Sequence, residues 1–304
     1  MQTVRFDIII PTYNNLTELK QCLASLGEMP HGDFKVWLCV DGSTDGTQDW
    51  FKSQSFPFPI RILEHADLKN HGRAATRNLA LPFLEAPYSL FLDSDMVCRR
   101  ELLQAHASVL DQGNTISIGT VSYQNTQGNL WVRYTSERGV AKFEGGAVVP
   151  FHYFITPNTA VPTHWLKEVE GFDTQISRYG GEDMELGYRL HLHAHPRFIF
   201  NNKAVAVTTQ PKMLKDALPQ LQEYGATGLR YITRKWPELS NIYWVNKCNS
   251  QHPTDRMFEW LTLPTFQKMA WWSLNWMPYG IQKILINYLV IAHIHTGYRT
   301  GKTP

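Results

Sequence analysis

Cysteine is scarce in this sequence, which contains four in 304 residues. They are widely scattered and form neither a C-x-x-C pair nor the spacing of a zinc site. The pattern therefore argues against a disulfide-stapled scaffold and a cysteine-ligated zinc domain, and it predicts reduced, cytosolic thiols. The four are Cys22, Cys39, Cys98 and Cys248.

Long apolar runs are also missing. The most apolar late stretch, Ile284 to Ile294, is interrupted by Asn287 and His293. It is shorter than the roughly 20 apolar residues needed to cross a bilayer. The amino terminus has no positively charged leader followed by an apolar segment and a cleavage site. We therefore expect no transmembrane helix, no secretion, and a cytoplasmic location.

Neither positive nor negative charge predominates in the chain. Charged residues make up 18% of it and the formal net charge is +2. This balance gives no electrostatic reason to expect a nucleic-acid partner. The length allows a substantial core, and it favours one catalytic domain with an appendage over two full domains.

The first hundred residues alternate between apolar, β-branched runs and helical patterns, which predicts a Rossmann-like, mostly parallel sheet flanked by helices. The predicted strands are Phe6 to Ile10, Val36 to Val40, Ile60 to Glu64 and Tyr88 to Leu92. The predicted helices lie near Leu16 to Leu26, Gly46 to Gln54 and Gly72 to Leu84. Ligands of such sheets bind where strands end, so the polar loops there are expected to form one site.

The rest of the chain is less regular. Thr115 to Pro150 carries Gly, Asn and Gln between short strands, which predicts a long excursion over the sheet edge. A composition shift after Trp236 toward Trp, Pro and aliphatic residues places a domain boundary near residue 240. The elements predicted in between are a strand near Asn158 to Val161 and helices at His164 to Glu170, Glu182 to His193 and Met213 to Lys235.

Two carboxylates follow the fourth predicted strand. Asp93 and Asp95 are two residues apart, so in an extended segment their side chains point the same way and can share one cation. Such oxygen ligands suit Mg²⁺ or Mn²⁺, which would stabilise the charge on a departing nucleoside diphosphate. Taken alone the pair also fits a solvated turn. Its position directly after a buried strand favours the metal site.

The segment DGSTDGT, from Asp41 to Thr47, follows the second predicted strand. Part of it reads as a turn that caps the next helix. Capping does not explain Asp41 itself, which stands at a strand end where its carboxylate can accept hydrogen bonds from a nucleobase.

Arginines begin the helix that precedes the fourth strand. Gly72, Arg73, Arg77 and Asn78 form this segment, and a guanidinium can meet phosphate oxygens in fork geometry. Surface ion pairs are the equally weighted alternative for both arginines.

A second acidic cluster stands far along the chain, where Tyr179 to Glu185 reads YGGEDME. Its carboxylates at a helix amino terminus fit ordinary capping, and the helix dipole favours them. In combination with the distant Asp-x-Asp, one of them could instead take the proton from an acceptor hydroxyl.

Five motifs together resemble glycosyltransferase family 2: IIPTYNN, VDGSTDGT, the Gly72 to Asn78 segment, FLDSD and GGEDMELGYRL. Their order and spacing match as well, over roughly residues 4 to 210. The resemblance implies the GT-A fold. It divides the predicted catalytic domain, residues 1–240, into a nucleotide-binding half at 1–100 and an acceptor-binding half at 101–240. A Trp-rich, helical appendage at 241–304 would follow.

The resemblance also implies residue roles. Asp183 is expected to be the catalytic base, with Glu182 and Gly181 holding the acceptor. Asp95 and Asp93 are expected to bind Mn²⁺ or Mg²⁺. The donor would be held by Pro11, Thr12, Tyr13, Asp41, Arg77, Asp93 and Ser94.

One position departs from the family pattern. Many relatives have a metal-binding histidine near the end of the strand after the acidic helix, whereas Val205 to Gln210 reads VAVTTQ. Thr208, Thr209 or water is expected to fill that place. Another group of histidines, at 191, 193 and 195, is spread around its helix, and solvated side chains explain it better than a metal site does.

The expected function is that of an inverting, metal-dependent hexosyltransferase. It would move one sugar from a nucleotide-diphosphate sugar, with UDP the expected carrier and GDP and dTDP open, to a hydroxyl of a glycan or lipid-linked acceptor. The sequence has no Q-x-x-R-W motif of processive synthases, so single addition is favoured. The alternatives are a catalytically idle nucleotide-sugar-binding scaffold and a nucleotidyltransferase.

The carboxyl-terminal region has two interpretations. From Met257 to Tyr298, tryptophans and leucines are mixed with Lys268, Lys283 and Arg299, a pattern of amphipathic helices. These helices would either lie on a membrane surface or pack against the catalytic domain.

Overall fold

The computed structural model describes residues 5–30, 33–124, 126–241, 245 and 262–301. The chain divides into two compact units. Unit 1 comprises Met1–Gly128, Thr135–Ser177 and Glu182–Pro211, and unit 2 comprises Asn129–Tyr134, Arg178–Gly181 and Lys212–Pro304. The predicted boundaries near residues 100 and 240 stay predictions.

The strands belong to unit 1 and form a sheet of nine strands in the described ranges. The four strands predicted from the first hundred residues are confirmed, each within two residues. The strands are β1 (Phe6–Thr12), β2 (Phe34–Val40), β3 (Ile60–Glu64), β4 (Tyr88–Leu92), β5 (Met96–Cys98), β6 (Thr115–Tyr123), β7 (Val148–Val149), β8 (Asn158–Pro162) and β9 (Arg197–Thr208).

The strand order is β3-β2-β1-β4-β8-β6-β9-β5, with β7 beside β9. Strands β1 to β4 run parallel to one another, β8 is antiparallel to β4 and β6, and β9 is parallel to β6. The carboxyl ends of β1, β2, β4, β6 and β9 therefore lie at the same edge of the sheet. That edge is the one at which the sequence predicts a site.

The predicted helices are present in the predicted order, whereas the helices at Leu102–Leu110 and Leu130–Ser136 were not predicted. In unit 1, 3₁₀ turns occur at Leu81–Phe83, Gly139–Lys142 and Phe151–Tyr153. The α-helices are α1 (Leu16–Gly27), α2 (Thr47–Lys52), α3 (Arg73–Asn78), α4 (Leu102–Leu110), α5 (Leu130–Ser136), α6 (Thr163–Glu168), α7 (Glu182–Ala194), α8 (Leu214–Tyr224), α9 (Arg230–Lys235), α10 (Pro264–Ser273) and α11 (Tyr279–Thr300).

Both faces of the sheet are buried, which explains the continuously apolar strands. In β1, Ile8 and Ile10 belong to one core cluster together with Leu19 of α1, whereas Ile9 belongs to a second cluster with Leu186 of α7. Successive residues of a strand point to opposite faces, so a strand covered on both sides needs an apolar residue at every position. Each such side chain contributes roughly 1.5–3 kcal/mol through burial.

The predicted excursion over the sheet edge from Thr115 to Pro150 is wrong at its start. Strand β6 lies inside the sheet, between β8 and β9. Its polar residue Ser117 is satisfied internally, because buried His106 bonds Ser117 on β6 and Asn158 on β8 at 2.8 and 2.9 Å. Burial lowers the pKa of His106 to about 4, so this histidine is neutral and structural at physiological pH.

Unit 2 is helical in its described part. The helix predicted at Met213 to Lys235 is present as α8 and α9, joined by a π-helical turn at Gly225–Leu229. A separate core cluster holds the unit together, with Leu214 and Leu218 of α8 packed among Leu274, Ile286 and Leu289.

The carboxyl-terminal helices confirm that this region is helical. Met257 and Trp260, with which the predicted amphipathic region begins, lie outside the described residues. In the part of the chain that the structure describes, no helix is long and apolar enough to span a bilayer.

Candidate active site

The loops that follow β1 and β2 are tied together by hydrogen bonds. The backbone N–H of Asn14 donates to Ser43 Oγ at 3.1 Å, and the N–H of Thr44 donates back to Asn14 Oδ1 at 2.7 Å. The N–H of Leu16 donates to Asp45 Oδ2 at 2.8 Å. The TYNN and DGSTD motifs therefore form one continuous rim at the carboxyl ends of two adjacent strands.

Three predicted donor residues stand at the end of β1. Pro11 and Thr12 are its last two residues, and Tyr13 follows with half of its surface exposed. The hydroxyl of Thr12 is buried and has no hydrogen-bond partner among the described residues. An unpaired buried hydroxyl is costly, so a polar group of a ligand at this position would satisfy it.

Asp41, after β2, is buried and organises the loop between β3 and α3. Its carboxylate accepts the backbone N–H groups of His71 and Gly72 at 2.7 and 3.1 Å. Gly72 has φ +85°, and a Cβ there would lie 2.3 Å from the carbonyl oxygen of Ser177. Only glycine fits this close approach. Asp41 therefore anchors a loop, and its role toward a nucleobase stays a prediction.

Two histidines that sequence reasoning missed flank Asp41. The rings of His65 and His71 are 4.3 Å apart, and His65 Nε2 lies 3.6 Å from Asp41 Oδ1. His65 also bonds Thr76 Oγ1 at 3.0 Å. Burial and the charge of His71 lower the pKa of His65, which keeps it neutral at pH 7. Their spacing of six residues matches no motif, and only the folding of the loop brings them together.

Arg77 of α3 lies inside the site. Its side chain is 2% exposed, and Nη2 donates to Asp93 Oδ1 at 2.8 Å while Nη1 lies 3.8 Å from Glu182 Oε1. Burial acts to lower the pKa of Arg77, but the charges of Asp93, Asp183 and Glu182 outweigh it and raise the pKa. The guanidinium is thus a counterion shared by the two acidic motifs.

That cluster contains polar atoms without hydrogen-bond partners. They are Nε and Nη1 of Arg77 and Oε2 of Glu182, all buried. Unpaired donors and an acceptor side by side leave room for hydroxyl groups of a ligand. The predicted contact of Arg77 with the donor stays a prediction.

Asp183, in the first turn of α7, is held by Thr156. The backbone N–H of Thr156 donates to Oδ2 at 3.2 Å and its hydroxyl donates to Oδ1 at 2.8 Å. Burial, followed by the charge of Glu182, raises the pKa of Asp183 from 3.8 to about 7, against the opposing effects of Arg77 and Thr156. A carboxyl group with such a pKa both accepts and releases protons near neutrality.

The third acid of the cluster, Glu185, is structural. It is fully buried and forms a 2.8 Å ion pair with Arg189, which also donates to the carbonyl oxygens of Val169 and Gly171. This arrangement ties α7 to the loop that precedes it. The sequence pattern alone cannot separate Glu185 from its neighbours, because all three acids stand in the same helical turn.

The predicted metal ligands are placed on two elements. Asp93 and Asp95 follow β4, and Thr208 at the end of β9 donates its hydroxyl to Asp95 Oδ2 at 3.0 Å. Thr208 therefore contacts a predicted metal ligand, and the expectation that Thr208, Thr209 or water takes the place of the family's histidine stays a prediction. Among the described residues, no group of three His, Cys, Asp or Glu side chains is arranged to hold a metal. This sparse oxygen set fits a cation such as Mg²⁺, which uses one or two carboxylates together with substrate phosphates.

Ser94 and Gly181, which were also predicted as site residues, make contacts of another kind. Ser94 is buried and accepts the side-chain N–H of Asn15 at 3.1 Å, so it links the Asp-Ser-Asp turn to the start of α1. Gly181 belongs to unit 2. It has φ +101°, and a Cβ there would lie 2.7 Å from Ile232 Cδ1. Its predicted contact with an acceptor stays a prediction.

Comparison with known families identifies the scaffold that carries this site. Residues 7–168 match the sequence profile of Glycosyl transferase family 2. The match covers more than half of the chain. The chain belongs to glycosyltransferase family 2. The matched segment includes Asp41, Arg77, Asp93 and Asp95 and ends before Asp183.

Curated relatives are similar over about three fifths of the chain. Validoxylamine A glucosyltransferase of Streptomyces hygroscopicus subsp. jinggangensis is 28% identical over 221 residues, covering 62% of this chain and 52% of that protein. Chondroitin synthase of Escherichia coli is 25% identical over 218 residues, covering 60% and 32%. The chain thus spans about half or less of the length of these two relatives.

Solved structures extend the likeness to nearly the whole chain. S. aureus TarS 1-349, in complex with UDP-GlcNAc, gives a TM-score of 0.59 at 18% identity, covering 98% of this chain and 90% of that one. Mannosyltransferase PcManGT from Pyrobaculum calidifontis, in complex with GDP-Man and Mn²⁺, gives a TM-score of 0.62 at 18% identity, covering 98% and 88%. At this identity the likeness concerns the fold, and it confirms the predicted GT-A fold.

Proposed function

We propose that this protein is an inverting, metal-dependent glycosyltransferase that moves one sugar from a nucleotide-diphosphate sugar to a hydroxyl of a glycan. The observation that carries the proposal is Asp183, whose pKa is raised to about 7 within a cluster that Arg77 links to Asp93. A base with a pKa near the working pH is what activation of a hydroxyl group requires.

Asp183 is the catalytic base in this proposal. Its carboxylate takes the proton from the acceptor hydroxyl while that oxygen attacks the anomeric carbon of the donor. The bond between the anomeric carbon and the diphosphate oxygen breaks, and its electron pair leaves with the nucleoside diphosphate. One displacement from the opposite face inverts the anomeric centre, so an α-linked donor yields a β-linked product.

Arg77 and Thr156 position and tune this base. The two hydrogen bonds from Thr156 fix the carboxylate and favour its charged form. Arg77, shared with Asp93 and Glu182, compensates the charge of the cluster, so several carboxylates can stand together in a buried place. Glu182, with Oε2 unpaired, is proposed to orient the acceptor by accepting a hydrogen bond from it.

A divalent cation would be held by Asp95, together with Asp93 and the hydroxyl of Thr208. When bound, Mn²⁺ or Mg²⁺ would act as a Lewis acid that stabilises the negative charge of the leaving diphosphate. The few protein ligands available support binding of the cation together with the donor, because the donor's phosphates would complete its coordination.

The donor is proposed to lie along the rim formed by the loops after β1 and β2. The unpaired hydroxyl of Thr12 and the exposed ring of Tyr13 are suited to a nucleoside, the first by hydrogen bonding and the second by stacking. UDP is the proposed carrier, since TarS was solved with UDP-GlcNAc. GDP is the second candidate, because PcManGT was solved with GDP-Man.

The proposed acceptor is a glycan or a lipid-linked sugar. The similar proteins include a chondroitin synthase and a glucosyltransferase named for validoxylamine A, which supports a saccharide-like acceptor over a protein or nucleic acid. The raised pKa of Asp183 also favours this proposal over an idle nucleotide-sugar-binding scaffold, which needs no catalytic base.

A donor screen tests the proposal. UDP-, GDP- and dTDP-sugars are offered with Mn²⁺, Mg²⁺ or a chelator, and thermal stabilisation and donor hydrolysis are measured. One donor is expected to stabilise the protein and to be hydrolysed only with the cation. Asp183→Asn is expected to bind that donor without turnover, whereas Asp49→Asn on exposed α2 behaves as wild type. Turnover by Asp183→Asn at the wild-type rate would refute the proposed base.

A further inference from the structure

Unit 2 exposes an unusual concentration of large apolar side chains. Of the 14 that are exposed in the described residues, eight lie between residues 263 and 284. The six that define this surface, named here the Trp face, are Met269, Trp271, Trp272, Trp276, Ile281 and Ile284. Single exposed apolar residues are ordinary, but a contiguous group of them marks an interaction surface.

The Trp face is formed by a helical hairpin whose other side is buried. Ala270 and Leu274 of the first helix and its turn pack with Ile286 and Leu289 of α11 in the core of unit 2. The hairpin therefore already has a packed inner face. The side chains of the Trp face stay exposed to solvent although the opposite side of the same helices is packed in the core. An unpacked core therefore does not explain their exposure.

The aromatic members stand side by side. The rings of Trp272 and Trp276, 68% and 73% exposed, have centroids 6.3 Å apart. Ile284, 69% exposed, is one helical turn from Ile281 on α11. Tryptophan prefers the boundary between water and hydrocarbon because its ring is apolar and its indole N–H is polar.

The charge of this region has one sign. From residue 261 to residue 304 the sequence contains no Asp or Glu, whereas it contains Lys268, Lys283, Arg299 and Lys302. The whole chain has 27 acidic and 29 basic residues, so acids and bases nearly balance outside this region. A basic, apolar segment without any acid in its sequence complements an anionic surface, and each Lys or Arg near an anionic membrane strengthens binding.

We propose that the Trp face docks this protein on a lipid bilayer that carries anionic phospholipid headgroups. The tryptophans and isoleucines insert at the level of the headgroups, and Lys268, exposed beside them, contacts phosphate groups. The helices lie on the bilayer instead of crossing it, in agreement with the absence of a spanning helix among the described residues. The inference does not depend on the proposed sugar transfer, because binding to vesicles is measured without any donor.

Vesicle sedimentation tests the inference. The full chain is mixed with phosphatidylcholine vesicles, with or without roughly one third phosphatidylglycerol, at low and at high salt. Wild type is expected to sediment with the anionic vesicles and to be released in part by salt. Trp272→Ser with Trp276→Ser is expected to weaken binding by about tenfold or more, and Lys268→Glu to weaken it only for anionic vesicles.

A matched control uses Leu192→Ser, which removes an exposed apolar side chain from α7 in unit 1. It is expected to bind vesicles like wild type. Circular dichroism and thermal unfolding check that all variants fold, which is expected since both tryptophans are mostly exposed. The inference is overturned if wild type binds neither vesicle or if the double variant binds equally well. It is also overturned if the double variant instead abolishes a concentration-dependent dimer that forms without lipid.

Discussion

Thr156 donates both its backbone N–H and its hydroxyl to the carboxylate of Asp183. The two residues are 27 positions apart, one in the loop before β8 and the other in the first turn of α7. Hydrogen bonds to a carboxylate favour its charged form, so Thr156 restrains the rise in pKa that burial and Glu182 impose on Asp183.

Removal of the Thr156 hydroxyl is therefore expected to raise the pKa of Asp183 further. In Thr156→Val, the rise of activity with pH, centred near 7 in wild type, should move upward by about one unit. Activity at pH 7 falls and recovers at alkaline pH. The pH profile of donor turnover measures this. Thr163→Val removes another buried hydroxyl, bonded to Ser89, and should leave the profile unmoved.

The charge of Glu182 acts in the opposite direction. Glu182→Gln removes a negative charge beside Asp183, which should lower its pKa and move the activity profile to lower pH. The maximal rate should fall as well, because the proposed acceptor contact is weakened. Profiles that move the same way in Glu182→Gln and Thr156→Val would contradict this account of the cluster.

Asp183 should also make stability depend on pH. Its pKa is about 7 in the folded protein and 3.8 in its ordinary state, so between those values the unfolded chain is ionised while the folded site stays protonated. Wild type therefore loses stability as pH rises through this window and loses no more above it. Asp183→Asn cannot ionise at this position. The melting temperature of this variant should therefore exceed that of wild type by a small amount near pH 4 and by a larger amount near pH 8. Equal differences at both pH values would refute the raised pKa.

Arg77 is expected to be more important for stability than a surface arginine. Arg77→Met leaves the partly buried Asp93 and the buried Glu182 without their counterion, which should cost about 3–5 kcal/mol of unfolding free energy. Arg5→Met breaks a solvent-exposed pair with Asp111 and should cost about 1 kcal/mol or less. Denaturant unfolding of both variants measures the difference. Equal losses would mean that the guanidinium of Arg77 does not stabilise the acidic cluster.

Metal binding should depend strongly on Asp95 and moderately on Thr208. Asp95→Asn is expected to abolish the extra thermal stabilisation that UDP gives in the presence of Mn²⁺. Thr208→Val removes one proposed oxygen ligand. The Mn²⁺ concentration needed for half of that stabilisation should therefore rise by several-fold. Asp49→Asn, on exposed α2, is the control. An unchanged Mn²⁺ response in Asp95→Asn would place the cation elsewhere.

The fold was predictable where burial leaves a simple pattern. Strands β1 and β2 are covered on both faces, so all of their positions except Asp7, Thr12 and Lys35 are apolar, and this pattern predicts a parallel sheet directly. Strand β6 escaped prediction because Ser117 and Thr120 make it look polar. Ser117 is satisfied inside the protein by His106, and sequence periodicity carries no information about such a contact.

The site was predictable where its residues form motifs. Asp93, Asp95 and Asp183 stand out by spacing and position, whereas Thr156, His65 and His71 do not. These three residues join the candidate site only through contacts between parts of the chain that are separate in sequence. The structural role of Glu185 was equally hidden, because its partner Arg189 is one turn away on a helix where charged residues are common.

The shared guanidinium of Arg77 has a consequence for experiments on this site. Asp93, Glu182 and Asp183 all interact with the same positive charge, so a substitution at one of them changes the electrostatic surroundings of the other two. The effect of a double substitution in this cluster should therefore differ from the sum of the two single effects. The difference measures the coupling energy between Asp93, on the proposed donor side, and the two acids of α7, on the proposed acceptor side.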